Sequence, residues 1–223
     1  MTTAIILAAG KSERMGKGVD KAFLSLVDKP VVAWSLLAFE RCPDIDRIVL
    51  VVRKEQQLAA KAVCKMFGIS KLDKIVPGGQ KRQESVAAGI AACDLDTRYL
   101  AIHDGARPLV TSELVSEAVK AARRSPAIAV GRPMTDTVKS CAKGSVVTET
   151  VPRERLWVVQ TPQIFQMKEI RAAYRALGKK DATDDCRAVE LNGGTVRIME
   201  WLRPNFKITT VEDLQLAAAL LKQ

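Results

Sequence analysis

Thr2-Thr3-Ala4-Ile5-Ile6-Leu7-Ala8-Ala9-Gly10-Lys11-Ser12-Glu13-Arg14-Met15-Gly16-Lys17-Gly18 is the stretch on which the fold turns. Residues 3–8 are nearly continuously apolar and partly β-branched, the pattern of a strand buried on both faces. The run is too short for a signal peptide and has no basic segment before it. It empties into a loop rich in glycine and lysine at 7–18. A loop leaving the carboxyl end of a first strand is the usual ligand crevice of an open α/β sheet. The small residues at 8–10 let backbone N–H groups approach a phosphate, and Lys11, Arg14, Lys17 and Lys21 bring positive charge. Neither standard nucleotide motif is present. Five residues separate Gly10 from Gly16 where a P-loop has four, Lys17 is followed by Gly18, and Ser12 breaks a GxGxxG spacing. The stretch therefore reads as a phosphate loop of another kind, against the plainer reading of a Gly/Lys-rich surface turn.

Outward from this strand the same rhythm repeats. Strands are predicted at 47–53, 74–77, 99–103, 127–131 and 196–200. Helices are predicted at 30–41, 55–66, 82–93, 112–124, 167–177, 184–191 and 211–222. Pro30 suits a first helical turn, and Thr111 and Thr210 suit N-caps. Strand–helix alternation with apolar strands predicts an α/β protein whose parallel or mixed sheet is covered on both faces. Its 223 residues are enough for a real core in one domain spanning 1–223. Residues 132–157 break the rhythm. They are polar, carry Gly144, and read as a β-hairpin excursion, either a surface flap or a dimerisation arm.

Charge and composition narrow the function. Lys and Arg number 35 against 25 Asp and Glu, a net charge of +10 that suits anionic partners. The basic residues are dispersed, and aromatics are only 4%, so a base-stacking nucleic-acid platform lacks material. No apolar run is long enough to span a membrane. Five cysteines (Cys42, Cys64, Cys93, Cys141 and Cys186), without a CxxC spacing, read as reduced thiols in a cytoplasm. A single histidine excludes a multi-histidine metal site within one chain.

Three further clusters sit at predicted strand or helix ends. His103-Asp104-Gly105-Ala106-Arg107-Pro108 follows a strand; Asp104 there suits a Mg²⁺ accompanying phosphates, or simply caps the turn and pairs with Arg107. His103 reads as the packed end of the strand rather than an acid–base group. Pro77-Gly78-Gly79-Gln80-Lys81-Arg82-Gln83-Glu84-Ser85 exposes backbone groups able to read a base edge, with the Ser85 hydroxyl one turn later. Arg153, Thr161-Pro162-Gln163, Thr183-Asp184-Asp185 and Asn205-Phe206-Lys207 place polar or cationic groups beside element ends, the Thr-Asp pair reading first as an N-cap.

Taken in order, LAAGKSERM, DKAFL, GGQKRQES, HDGARP, DTVK, RERLWVVQTPQIF, ATDDCRAVE and NFKITTVEDL make the chain resemble the 2-C-methyl-D-erythritol 4-phosphate cytidylyltransferases over almost its whole length. The resemblance implies a Rossmann-like, three-layer αβα nucleotidyltransferase fold and a homodimer joined through a protruding β-arm. It thereby favours the arm reading of 132–157. It implies backbone contacts to CTP from Ala8, Ala9 and Gly10, charge from Arg14, Lys21 and Lys207 on the reacting phosphates, and cytosine recognition by Gly79 and Ser85. Asp104 would lie by the ribose, the second substrate and the divalent metal, Mg²⁺ or another. Arg107, Thr137, Thr161 and Thr183 would line the polyol-phosphate pocket, with Arg153 supplied by the partner subunit. The chain departs from the usual pattern at Asp20-Lys21-Ala22, where Pro-Lys-Gln is common, and at Gln80, where an acid is common. Two other readings stay open at this point: a cytidylyltransferase for another polyol phosphate, such as ribitol 5-phosphate, and a non-catalytic nucleotide-binding module.

Overall fold

A computed structural model describes residues 1–10, 20–178 and 180–222 of the chain. In chain order its elements are β1 (Thr2–Ala8), β2 (Ser25–Leu26), β3 (Lys29–Pro30), α1 (Val31–Arg41), β4 (Arg47–Val52), α2 (Gln57–Met66), β5 (Leu72–Pro77), α3 (Arg82–Ala92) and β6 (Tyr99–Asp104). They continue with α4 (Ser112–Ala122), β7 (Ala127–Pro133), β8 (Val138–Cys141), β9 (Val147–Val151), β10 (Trp157–Gln166), α5 (Met167–Leu177), α6 (Asp185–Leu191), β11 (Arg197–Glu200) and α7 (Val211–Leu221).

Seven strands form one sheet in the order β11-β7-β10-β6-β1-β4-β5. All neighbours pair in parallel except β10, which runs antiparallel to both β6 and β7. The side-chain period of two divides the strands between two cores. Ala4 and Ile6 of β1, with Ile48 and Leu50 of β4, pack against Leu36 and Phe39 of α1, Ala60 of α2 and Leu114 of α4. Ile5, Val49 and Val51 face the opposite way, onto Val86 and Ile90 of α3, Ile170 of α5 and Val189 of α6. The expected sandwich of helix, sheet and helix follows from that alternation. Gly89 in α3 is a point of close approach, because a Cβ there would lie 2.8 Å from Ile5 Cδ1.

Three local expectations change. Pro30 sits at the N-cap of α1 with extended backbone, closing the short β2–β3 pair, so the helix begins one residue later. The helix expected over 55–66 opens with a 3-10 turn at Lys54–Gln56 before α2. β10 is a strand that the sequence pattern does not announce. It is the ten-residue centre of the β7–β10–β6 ladder, and its pairing with β7 slips between Gln160 and Gln163, around Pro162. Thr111 and Thr210 do cap α4 and α7, accepting from the amides of Leu114 and Asp213. The excursion narrows to the antiparallel hairpin β8–β9, largely exposed and tied at its base by the Met134 amide on the Leu156 carbonyl.

Candidate active site

The carboxyl ends of β1, β5 and β6 meet at one edge of the sheet. There they frame a cleft of about 150 Å³ lined by Ala8–Gly10, Lys21, Gly79–Arg82, Ser85, Asp104 and Lys207, among others. β1 is flanked by β4 on one side and β6 on the other. This is the position at which open α/β sheets bind ligands.

Each wall is held by its own chemistry. At the end of β5, Gly78 is required by space: a Cβ there would come within 2.5 Å of Ala9 Cβ and 2.7 Å of Ser85 Oγ. The turn after it is fastened from below. The Gly79 amide donates to Ser85 Oγ at 3.1 Å, and the Gln80 and Lys81 amides donate to Glu84 Oε2 at 2.7 and 3.2 Å. On the opposite wall Asp20 caps the 3-10 turn Lys21–Phe23, accepting from the Ala22 amide at 3.2 Å and from Arg53 Nη2 at 2.8 Å. The departure at Asp20 thus has a structural use. Lys21 Nζ donates to the Ile208 carbonyl at 3.1 Å, which joins this wall to the segment carrying Lys207.

Asp104, the last residue of β6, stands on the cleft floor, 8% exposed. Its Oδ1 accepts from Arg82 Nε at 3.1 Å and its Oδ2 from Lys207 Nζ at 2.9 Å, with Arg107 Nε 3.9 Å from Oδ2. Burial by itself would raise the carboxyl. The charges of Arg82, Lys207 and Arg107 outweigh it and hold the group well below the usual carboxylate range. Burial also works against the Arg82 guanidinium, but Asp185 and Asp104 overcome that and raise it above its ordinary value. Burial dominates at Arg107, which is lowered.

Beneath Asp104 lies a closed polar relay. Thr161 Oγ1 accepts the Asp104 amide at 3.0 Å and lies 3.1 Å from His103 Nδ1. The Thr161 hydroxyl, with one donor and a second lone pair, thus joins the Asp104 backbone to the imidazole. On the other side of the ring Nε2 lies 3.4 Å from Ser35 Oγ, which in turn lies 3.4 and 3.3 Å from the Gly105 and Arg107 carbonyls. His103 is fully buried, and burial pushes it down to about 3, so it is a neutral structural group, as its position at a strand end led us to expect.

The anticipated residues divide into groups. Ala8, Ala9, Gly10, Lys21, Gly79, Ser85, Asp104 and Lys207 all line the cleft. Arg107 lies just behind it, with Nη1 donating to the Asn205 carbonyl at 2.8 Å. Thr161 sits under Asp104, 3% exposed. Thr183 is exposed ahead of α6, whose N-cap is Asp184, accepting the Arg187 amide at 2.8 Å. Thr137 and Arg153 are exposed at the base of the hairpin, where Arg153 Nη1 donates to the Thr135 carbonyl, and neither is among the described residues lining the cleft. Arg14 lies outside the described residues. Sequence reasoning missed Arg82, Asp185, Tyr174 and Glu84. Arg82 stood inside the quoted GGQKRQES motif, and Asp185 was masked by its neighbour, since one acid suffices to cap α6.

Comparison with known proteins points the same way. The family model described as 2-C-methyl-D-erythritol 4-phosphate cytidylyltransferase matches residues 2–223. The protein of that name from Caldanaerobacter subterraneus subsp. tengcongensis is 42% identical, with 99% of each chain covered. The one from Desulforamulus reducens is 43% identical over 99% of this chain and 95% of its own. Among solved structures, the 4-diphosphocytidyl-2C-methyl-D-erythritol synthase of Anaerococcus prevotii superposes with a TM-score of 0.88 at 29% identity, covering 100% of this chain and 96% of its own. The 2-C-methyl-D-erythritol 4-phosphate cytidylyltransferase of Thermus thermophilus gives 0.81 at 30% identity, with 98% of each covered. With the cleft at the carboxyl edge of β1, β5 and β6 and these matches running end to end, the chain belongs to the 2-C-methyl-D-erythritol 4-phosphate cytidylyltransferase family.

Proposed function

We propose that the chain joins CTP to 2-C-methyl-D-erythritol 4-phosphate. An oxygen of the polyol's phosphate forms a bond to the α-phosphorus of CTP, the bond from that phosphorus to the bridging oxygen breaks, and pyrophosphate leaves. The product is the CDP-polyol. No protein nucleophile takes part, so catalysis is positioning and neutralisation of charge on phosphoryl oxygens. The observation that carries the reading is Asp104 fixed between Arg82 and Lys207 at the cleft floor, facing the backbone of residues 8–10.

In this reading Ala8, Ala9 and Gly10 present backbone groups to the triphosphate, and Gly79 and Ser85 face the base. Lys21, Arg14 and Lys207 offset the repulsion of two polyanions and the charge that grows at the α-phosphoryl group. Arg107, Thr137, Thr161 and Thr183 serve the polyol phosphate. A divalent cation fits the donor set. Mg²⁺ normally uses one or two carboxylates together with substrate phosphates, and Asp104 is the one carboxylate among the described residues lining the cleft. Each of its oxygens accepts one charged donor and keeps a lone pair for a metal. Bound there, the ion supplies charge neutralisation of the phosphoryl oxygens.

The working unit in this reading is a homodimer and a single nucleotidyltransferase domain per chain, with Arg153 reaching the partner's polyol phosphate. A two-stranded hairpin is marginal alone in water, and β8–β9 leaves Val146 and Val147 exposed. A second copy would cover it. Five free cysteines, four of them buried, suit the cytoplasm. No helix is long and apolar enough to cross a membrane among the described residues.

Pyrophosphate release tests the reading, measured with CTP, Mg²⁺ and a panel of polyol phosphates. We expect release only with CTP, a divalent cation and methylerythritol phosphate together, and poor turnover of ATP and GTP, because directed polar contacts reject the wrong base. Equal turnover with ATP, full activity in excess EDTA, or a preference for ribitol 5-phosphate would overturn it.

A further inference from the structure

Arg82 is shared between two carboxylates. Its Nε donates to Asp104 Oδ1 at 3.1 Å, while Nη1 and Nη2 form a fork on Asp185, at 3.0 Å to Oδ1 and 2.9 Å to Oδ2. Asp185 is fully buried and also accepts the Tyr174 hydroxyl at 2.6 Å. Capping does not explain this acid, since Asp184 already caps α6. Packing does not explain it either, because its two neighbours in the helix, Cys186 and Val189, join the apolar cluster while Asp185 turns to a cation. Nothing in the cytidylyl transfer itself requires a carboxylate behind Arg82, one step removed from the cleft.

The fork has a mechanical consequence. A fork fixes both the position and the plane of a guanidinium, where a single contact fixes neither. Arg82 lines the cleft. Unbraced, its long side chain would follow an incoming triphosphate and leave Asp104 Oδ1. Braced from α6 and α5, its Nε stays on Asp104. We propose that Asp185, steadied by Tyr174, is a positioning residue that holds Arg82 in the plane needed to fix the Asp104 carboxylate for transfer. The proposal rests on the cytidylyltransferase reading above.

Steady-state kinetics of the full-length enzyme decide it, with Asp185→Asn, Tyr174→Phe, Arg82→Met and the two doubles that carry Arg82→Met. Displacing a reacting group by about 1 Å costs up to about 10²-fold in rate. Asp185→Asn should therefore lower kcat by about 10- to 100-fold, with the KM for CTP changed by less than about threefold. Tyr174→Phe should lower it several-fold. In the Arg82→Met background both should lose their effect, because a residue that acts through Arg82 has nothing left to act on. Asp185→Glu, which keeps the fork, should recover more kcat than Asp185→Asn. If Asp185→Asn leaves kcat unchanged, or its loss simply multiplies with that of Arg82→Met, the positioning role is overturned. If Asp185→Asn does not fold, as circular dichroism would show, Tyr174→Phe and its double carry the same decision. A wild-type enzyme that releases no pyrophosphate with any polyol phosphate would sink the cytidylyltransferase reading itself, a result distinct from an active wild type with unaffected variants.

Discussion

His103 should make the stability of this protein fall steeply between pH 7 and pH 5. The imidazole is fully buried, and burial brings it to about 3 from an ordinary 6.5, with Arg107 and Lys207 lowering it further and Asp104 opposing them. The folded value lies below the unfolded one, so the unfolded chain binds the extra proton. Stability is then complete above about pH 6.5 and is lost progressively as the pH falls toward 3. At pH 7 about a quarter of unfolded chains carry the proton, and at pH 5 nearly all do, while the folded imidazole stays neutral at both. Linkage turns this difference into about 2 kcal/mol lost between pH 7 and pH 5. Because His103 is the only histidine in the chain, no second imidazole shares that window.

The comparison variant is His103→Asn, whose amide offers both a donor and an acceptor to Thr161 but does not titrate. Urea unfolding at pH 7, 6 and 5, extrapolated to water, gives the slope for each protein. The variant will be less stable at pH 7, having lost packing against Phe39, whose ring centroid lies 5.1 Å from that of His103. Its slope, however, should be flatter by about 2 kcal/mol over the two units, since carboxylates titrate alike in both proteins. Equal slopes in the two proteins would refute the argument and mean that His103 is charged, or hydrated, in the folded state.

Three other outcomes are expected. Lys21→Ala should lower kcat by about 10²–10³, or about 2.7–4 kcal/mol, with little change in the KM for CTP; a hundredfold rise in KM at unchanged kcat would make Lys21 a simple binding residue. Gly78→Ala should cost about 1–3 kcal/mol in thermal or urea unfolding and raise the KM for CTP, because the new methyl must displace Ala9, 2.5 Å away, or Ser85; an unchanged melting temperature would contradict the tight packing of that turn. Arg153→Ala and Lys21→Ala chains, each nearly inactive alone, should regain about a quarter of wild-type activity when refolded together as mixed dimers; no gain, with mixed dimers confirmed by mass, would place Arg153 in its own chain's site.

The parts of this structure legible in the sequence are those decided within a few residues. β1, β4 and β6 announce themselves because a strand covered on both faces must be apolar throughout, as Ile5, Ile6, Val49 and Leu50 are. The threonine caps of α4 and α7 are equally local. β10 is hidden for a physical reason. Pro162 cannot donate to a ladder and ordinarily argues against a central strand, yet here it falls where the pairing slips between Gln160 and Gln163. The site follows the same division. The glycines and small residues at strand ends show in the motifs, because backbone approach is a local need. Arg82 does not, since an arginine after two glycines reads as a solvated turn until Asp104 and Asp185, 22 and 103 residues further on, are brought to it.

A carboxylate in a cleft for two polyanions looks misplaced until the charges are followed inward. Arg82, Arg107 and Lys207 converge on Asp104, and Arg82 continues to Asp185. Three cations against two carboxylates leave a net of one positive charge in the cluster, so the fold does not have to hold three like charges together unaided. Without Asp104 they would repel across a few ångströms of low dielectric, and each would move when phosphate arrived. With it, their places are set before any substrate binds, and the motion that would otherwise accompany charge transfer is already complete. The cations that line the cleft are then Arg82 and Lys207 of this cluster, with Lys21 and Lys81 on the rim, the latter held at 2.6 Å by Asp181. The acid at the centre is therefore the group that keeps the basic residues in place, and Asp185 does for Arg82 what Asp104 does for all three.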